Sequence, residues 1–460
     1  MGPGHATLAR QRRREPAMNR LLRRLSPALL LCASQAWAQA AAPLPYQSTD
    51  QSLGTVNCAN SLCHGSITPW HESPVLRNEY VTWSRLDKHA RAYRVLHNER
   101  SRTIVRNLGL PTPAHETKLC LDCHAHNVPE AQRGERFNLS DGVTCEACHG
   151  PAERWIQSHV EPGASHAGNL DRGLYPTSDA DSRAKLCLSC HWGNQDKLVN
   201  HRLMGAGHPR MSFELETFTA IAPAHFRVDA DYLARKPAVD GVKVWAIGQA
   251  LAVQEMMDLL VDPKRGRDGL FPELVLFDCH ACHHPMSQAK WQPRGQFGAH
   301  AGPGTVRLND SGMLMLRAVA REVDPALGLR VGRQVSRLHL AVAGQGDAIA
   351  EARALKRLAA EVALRIDTHA FSAASPGHIA LALVDEGLAG GYADYAGAEQ
   401  AAMAIGSVVD HMHKRGLAAP AGALNAALER LNAALADDEA YRPAQFQQRL
   451  REMRALLVAK

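Results

Sequence analysis

The sequence predicts a mainly α protein in two parts: a histidine-rich core with little regular sheet, then an α-helical bundle or short solenoid. Three observations predict this. Ten of the eleven cysteines fall in five motifs that pair two cysteines with a histidine, all before residue 284. The stretch that holds them, 39–304, is broken by proline and glycine into short segments. Residues 309–460 contain no cysteine, much alanine and apolar positions recurring at helical spacing. At 460 residues the chain has room for two or more domains, and its 45% apolar fraction is ordinary for a globular protein.

The N-terminus reads as an export signal. Arg20, Arg23 and Arg24 form a charged region, 25–33 an apolar run, and Ala36-Trp37-Ala38 a small-x-small cleavage pattern. The expected leader is therefore 1–38, starting at Met18 and cut near Ala38. Its apolar run is far short of the ~20 residues that span a membrane, so no transmembrane anchor is expected. The chain's formal charge is +6, and the seven arginines and one glutamate of residues 1–24 carry that whole excess. The rest is near neutral, which speaks against a nucleic-acid partner. Export places the chain in the periplasm, where paired cysteines usually form disulfides.

The histidine after each pair gives a different chemistry. Four motifs read CxxCH: Cys120, Cys123 and His124; Cys145, Cys148 and His149; Cys187, Cys190 and His191; Cys279, Cys282 and His283. The first, CANSLCH, has four residues between Cys58 and Cys63 before His64. Two thiols bond a porphyrin covalently and the histidine holds its iron, so the expected cofactor is haem c, five copies, with iron. Residues 39–304 are then a pentahaem domain, a multihaem cytochrome c core in which large flat cofactors fill the interior. Helices are expected at 81–96 and 245–261, with Met256 and Met257 as core, and a loop at 293–304 closes the region. Residues 305–460 form the α-helical C-terminal domain, with helices at 313–323, 327–342, 348–365, 378–386, 398–414, 423–434 and 444–458. Its five histidines are expected to be packing or surface residues.

Function turns on the sixth position of each iron. A second histidine makes an electron-transfer centre, whereas an empty position lets iron bind a small molecule. Thirteen histidines of the haem region are available for five irons: His71, His89, His97, His115, His126, His159, His166, His201, His208, His225, His280, His284 and His300. Spacing alone leaves the choice open.

GVTCEACHGPAERWIQSH, at 142–159, resembles the third haem segment of the cytochrome c-554 family. That family comprises tetrahaem electron carriers whose haem core is shared with hydroxylamine-oxidising enzymes. TWSRLDKHARAY, at 82–93, is similar to the family's early Trp-x5-His helix, and LCLDCH and LCLSCH to its second and fourth haem sites. The resemblance covers roughly 55–215. It implies His159 as sixth ligand of the first haem and His89 of the fourth. It implies His208, with His201 second, for the third haem, and a five-coordinate second haem with an open face. The expanded first motif, the fifth haem and the helical C-terminal region depart from the family pattern. For the fifth haem His71 and His225 lead. His284 directly follows a proximal ligand and would reach a neighbouring iron or serve as an outer-shell residue.

Two functions follow. One is a periplasmic electron carrier between redox protein partners, with peripheral docking to a membrane complex as an option for the helical domain. The other is a haem oxidoreductase acting on a small nitrogen or sulfur compound at the second haem, with His126, Glu116 and His115 as acid/base candidates. No CxxCK motif is present, which argues against the usual ammonia-forming nitrite reductase site.

Overall fold

The computed structural model describes residues 1–2, 42–236, 240–267, 272–283, 307–417 and 421–459. Nearly all of the expected leader, with Cys32, lies outside the described residues, as do His284, His300 and the loop at 293–304. The fold is mainly α. Among the described residues the only extended pairings are two isolated bridges, Ser52 with Arg133 and Phe277 with Leu308.

The first half consists of short helices joined by turns. They are α1 (Glu79–Leu86), α2 (Glu99–Leu108), α3 (Lys118–His124), α4 (Cys145–His149), α5 (His166–Asp171), α6 (Ala180–His191), α7 (His201–Gly205), α8 (Leu215–Ile221) and α9 (Ala230–Arg235). Polar caps start several of them. Asn98, Ser165, Asp179, Asn200 and Asp229 each accept a backbone N–H from the first turn of the helix that follows. Away from α6 and α8 the apolar clusters of this half are small, such as Leu96, Ala114, Leu121 and Ala125. The helix expected at 81–96 is interrupted. Asp87 is extended, and its carboxylate takes both the backbone N–H and the ring Nδ1 of His89, each at 2.9 Å, which ends α1 and turns the chain.

Long helices follow: α10 (Gly241–Val261), α11 (Ser311–Val323), α12 (Pro325–Val342), α13 (Ala348–Thr368), α14 (Ser375–Leu388), α15 (Tyr395–Lys414), α16 (Ala421–Ala433) and α17 (Pro443–Val458). Asp240, Asp324, Asp347 and Asp394 cap four of them, and proline begins α12 and α17. Each of the seven helices expected after residue 309 is present, with ends within three residues of those expected.

One hydrophobic core runs through the long helices. It joins Ala184 and Leu188 of α6 to Trp245, Met257 and Leu260 of α10, then to Leu314, Leu355, Ile405 and Phe446. Met256 and Met257 are buried in it. Helix α10 is long and apolar enough to cross a membrane, but 72% of its most apolar window is covered by protein. It packs against α13 on one side and α6 on another. His339 and His411 of the C-terminal helices pack against Asp310 and Glu216, while His378 is exposed and meets Glu322 at the surface.

Candidate haem centres

Three attachment motifs lie at the ends of helices. α3, α4 and α6 each finish on the histidine of their motif, and helical pitch puts cysteines three residues apart on one face. The fifth motif is a 3₁₀ turn, Cys279–Ala281, with the His283 N–H bonded to the Cys279 carbonyl at 2.8 Å. The first is a loop. The Asn60 carbonyl accepts the N–H groups of both Cys63 and Gly65 at 2.9 Å, which absorbs the extra residues between the cysteines. All ten described cysteines are free of disulfides, so each thiol is open to thioether formation.

Every motif histidine faces one other histidine. Ring centroids are 6.4 Å apart for His64 and His159, 6.4 Å for His124 and His208, and 6.3 Å for His149 and His225. They are 5.9 Å apart for His191 and His89, and 6.1 Å for His283 and His201. Two imidazole nitrogens on opposite sides of one iron, each about 2 Å from it, require ring centres about 6 Å apart. Twist about the shared axis is free, so both the parallel pair at His64 and His159 (11°) and the perpendicular one at His149 and His225 (89°) suit it. By contrast His97 and His115 stack directly at 4.2 Å, too close to admit a metal between them.

Outer bonds aim these rings. His64 Nδ1 meets Glu79 at 3.0 Å and His159 Nδ1 the Ile156 carbonyl at 2.5 Å. His124 Nδ1 meets the Ala92 carbonyl at 3.0 Å and His208 Nδ1 the Pro209 carbonyl at 2.8 Å. Holding Nδ1 leaves Nε2 for a metal and fixes the tautomer. Glu79 and Asp87 raise the pKa of His64 and His89 and so strengthen them as donors. Burial pushes His149 down to about 4 and lowers His124 and His191, which favours the neutral, ligating form of these three rings.

The pairing differs from the one the resemblance implied at the second and third centres, and from the His71 or His225 expected at the fifth. His208 faces His124, not His149, so the face expected to be open has an imidazole over it. His225 lies opposite His149, and His201 opposite His283. The reason is local: the short helix α7 has His201 at its start and His208 just past its end, so one segment serves two centres. His71 is exposed, with no imidazole facing it among the described residues. The three acid/base candidates do not converge on one site. His126 is 2% exposed, bonded to Ser52 Oγ at 2.8 Å, and held down to about 3 by burial. His115 turns to His97 and Glu116. His166 meets Ser178 and His280 meets Asp438.

The motifs touch one another. The Cys58 thiol lies beside that of Cys145, and Cys123 beside Cys190, near enough for each to shift its neighbour's ionisation. Cys148 lies in the field of Cys187 and Cys190. Glu146, inside the third motif and 1% exposed, accepts the N–H groups of Leu53 and Gly54 at 2.7 Å and of Ala152 at 2.8 Å. It thereby fastens the segment before the first motif to the third. Beside the fifth motif a small, partly open cavity of about 50 Å³ is lined by Cys279, His280, Trp192, Met204 and Arg210. The buried Trp192 Nε1 has no hydrogen-bond partner.

Residues 57–150 match the family Cytochrome c554 and c-prime. No curated protein and no solved structure matches the chain. The matched residues span the first three motifs. They support a c-type cytochrome working in electron transfer, with covalently bound haem c and iron.

Proposed function

We propose that the chain is a periplasmic pentahaem electron carrier in which every iron sits between two imidazoles. The five opposed histidine pairs, with centroids 5.9 to 6.4 Å apart, carry this reading. The ten motif cysteines would tether the cofactors, and His64, His124, His149, His191 and His283 would hold the irons from one side. His159, His208, His225, His89 and His201, in that order, would hold them from the other. Bound haem c supplies one-electron chemistry at its iron. Two imidazoles remain bound in both oxidation states, so charge moves with little rearrangement. The contacts between the first and third motifs, and between the second and fourth, keep the centres close enough to share electrons. A partner at each end, one donor and one acceptor protein, would complete the path. The arginine-led leader supports export. His208 over His124 weighs against the oxidoreductase reading.

Electron paramagnetic resonance of the oxidised, haem-loaded protein tests this. Only low-spin signals are expected, with five haems by mass. His208→Ala should turn one haem in five high-spin and leave four unchanged. A high-spin haem in the unaltered protein would overturn the reading.

A further inference from the structure

The second and fourth motifs meet around one buried cation. Lys197 is 8% exposed. Its Nζ donates to the Asp122 carbonyl in the second motif and to Cys190 Sγ in the fourth, both at 3.0 Å. It stands 4.1 Å from the centre of the Tyr46 ring. Its backbone is fixed in a turn: the Asn194 N–H donates to the Lys197 carbonyl at 2.8 Å, and the Lys197 N–H to Asn194 Oδ1 at 3.1 Å. Arg265 clamps that turn through the Gln195 and Asp196 carbonyls.

No carboxylate among the described residues forms an ion pair with this ammonium. Asp122 spends its oxygens on Lys118 and Asn127, and Asp196 accepts from Tyr46 and Gln47. A buried charge without a counter-charge costs free energy unless something nearby carries the opposite sign. The Cys190 sulfur does not supply it once it is a thioether, because a thioether is neutral. What remains beside Lys197 is the pair of centres on the second and fourth motifs, which its Nζ joins through the Asp122 carbonyl and Cys190 Sγ.

We infer that Lys197 is a positioning residue for electrons: its fixed charge raises the reduction potentials of the second and fourth haems, so that electrons on the molecule collect there. The inference rests on the five-haem reading. Reduction of either centre adds one electron to its iron, ferric to ferrous, taken from a neighbouring reduced haem or a one-electron donor protein. No bond forms or breaks. The added negative charge is stabilised by the ammonium in a low-dielectric setting that salt does not screen.

The test is a spectroelectrochemical titration of the haem-loaded protein, with haem number taken by mass on each sample. Lys197→Met should lower the midpoints of two haems at most and leave the others in place. Lys197→Arg should keep all five near their original values. Lys197→Gln is the alternative neutral variant if the methionine variant does not fold. Unchanged midpoints in a five-haem neutral variant would overturn the inference. So would an equal fall of all five, or an arginine variant that falls as far as the methionine one. A haem count other than five in the unaltered protein would instead overturn the five-haem reading.

Discussion

Gly142 shows how single positions hold the candidate ligands. Its φ is +78°, and a Cβ there would stand 2.7 Å from the His89 carbonyl oxygen. That carbonyl accepts the Val143 N–H at 3.0 Å, and the Gly142 carbonyl accepts the His126 N–H at 2.8 Å. The glycine thus draws the His89 segment onto the approach to the third motif. Gly142→Ala is expected to cost about 1–3 kcal/mol from the left-handed backbone and the collision. It should lower the melting temperature of the holoprotein and alter the low-spin signal of one haem; an unchanged melt and spectrum would count against this role for Gly142. The motif cysteines and their histidines stand out in the sequence because attachment chemistry is local: three residue types within a few positions specify it. The facing histidines are not local. His208 and His201 lie seven positions apart, yet they face imidazoles of the second and fifth motifs, and chain order does not say which iron each approaches. Glu146 fills an unspecified position between the cysteines of the third motif, and Lys197 belongs to no motif. Their roles come from burial beside other segments, which only the fold determines.

Among the elements, the long helices were legible because their apolar positions repeat at 3.6 residues and aspartate, proline and glycine mark their ends. The stretch at 81–96 has the same periodicity, but the side-chain bonds of Asp87 to His89 win locally over helix continuation. Within α10 one charge stands out. Burial, with Asp258 nearby, raises Glu255 to about 7 from an ordinary value of 4.5. The folded state therefore binds this proton more tightly than the unfolded chain does. The resulting stability is fully present below about pH 4.5 and is lost as pH rises through 7. Above pH 7 the ionised, partly buried carboxylate is a burden on the order of 1–3 kcal/mol. Glu255→Gln should therefore melt higher than the parent at pH 8 and close to it at pH 5. Equal melting differences at the two pH values would contradict this origin.

For the whole molecule, the decisive contact is the one between α10 and the helices after residue 307. Residues Pro43–Lys460 form one compact unit, and the large core crosses from α6, which carries the fourth motif, through α10 into α11 to α17. Trp245, Met257, Leu259 and Leu260 have no more than 1% of their surface exposed, largely because the C-terminal helices cover them. Removing residues 309–460 would bare this face. At about 25 cal/mol per Å² of apolar surface, each such side chain loses roughly 1.5–3 kcal/mol, and the loss over the four is comparable with the whole 5–15 kcal/mol of net stability typical of a domain. A docking module would behave differently: its loss would leave the haem region soluble and loaded. The truncated chain is expected to give little soluble, Soret-absorbing protein in the exported fraction, with α6 and its fourth motif the first to lose their support. Recovery of a soluble truncated form with all five haems and the parental low-spin spectrum would mean that the bundle is dispensable for the haem region, and would return the C-terminal helices to the role of a docking module.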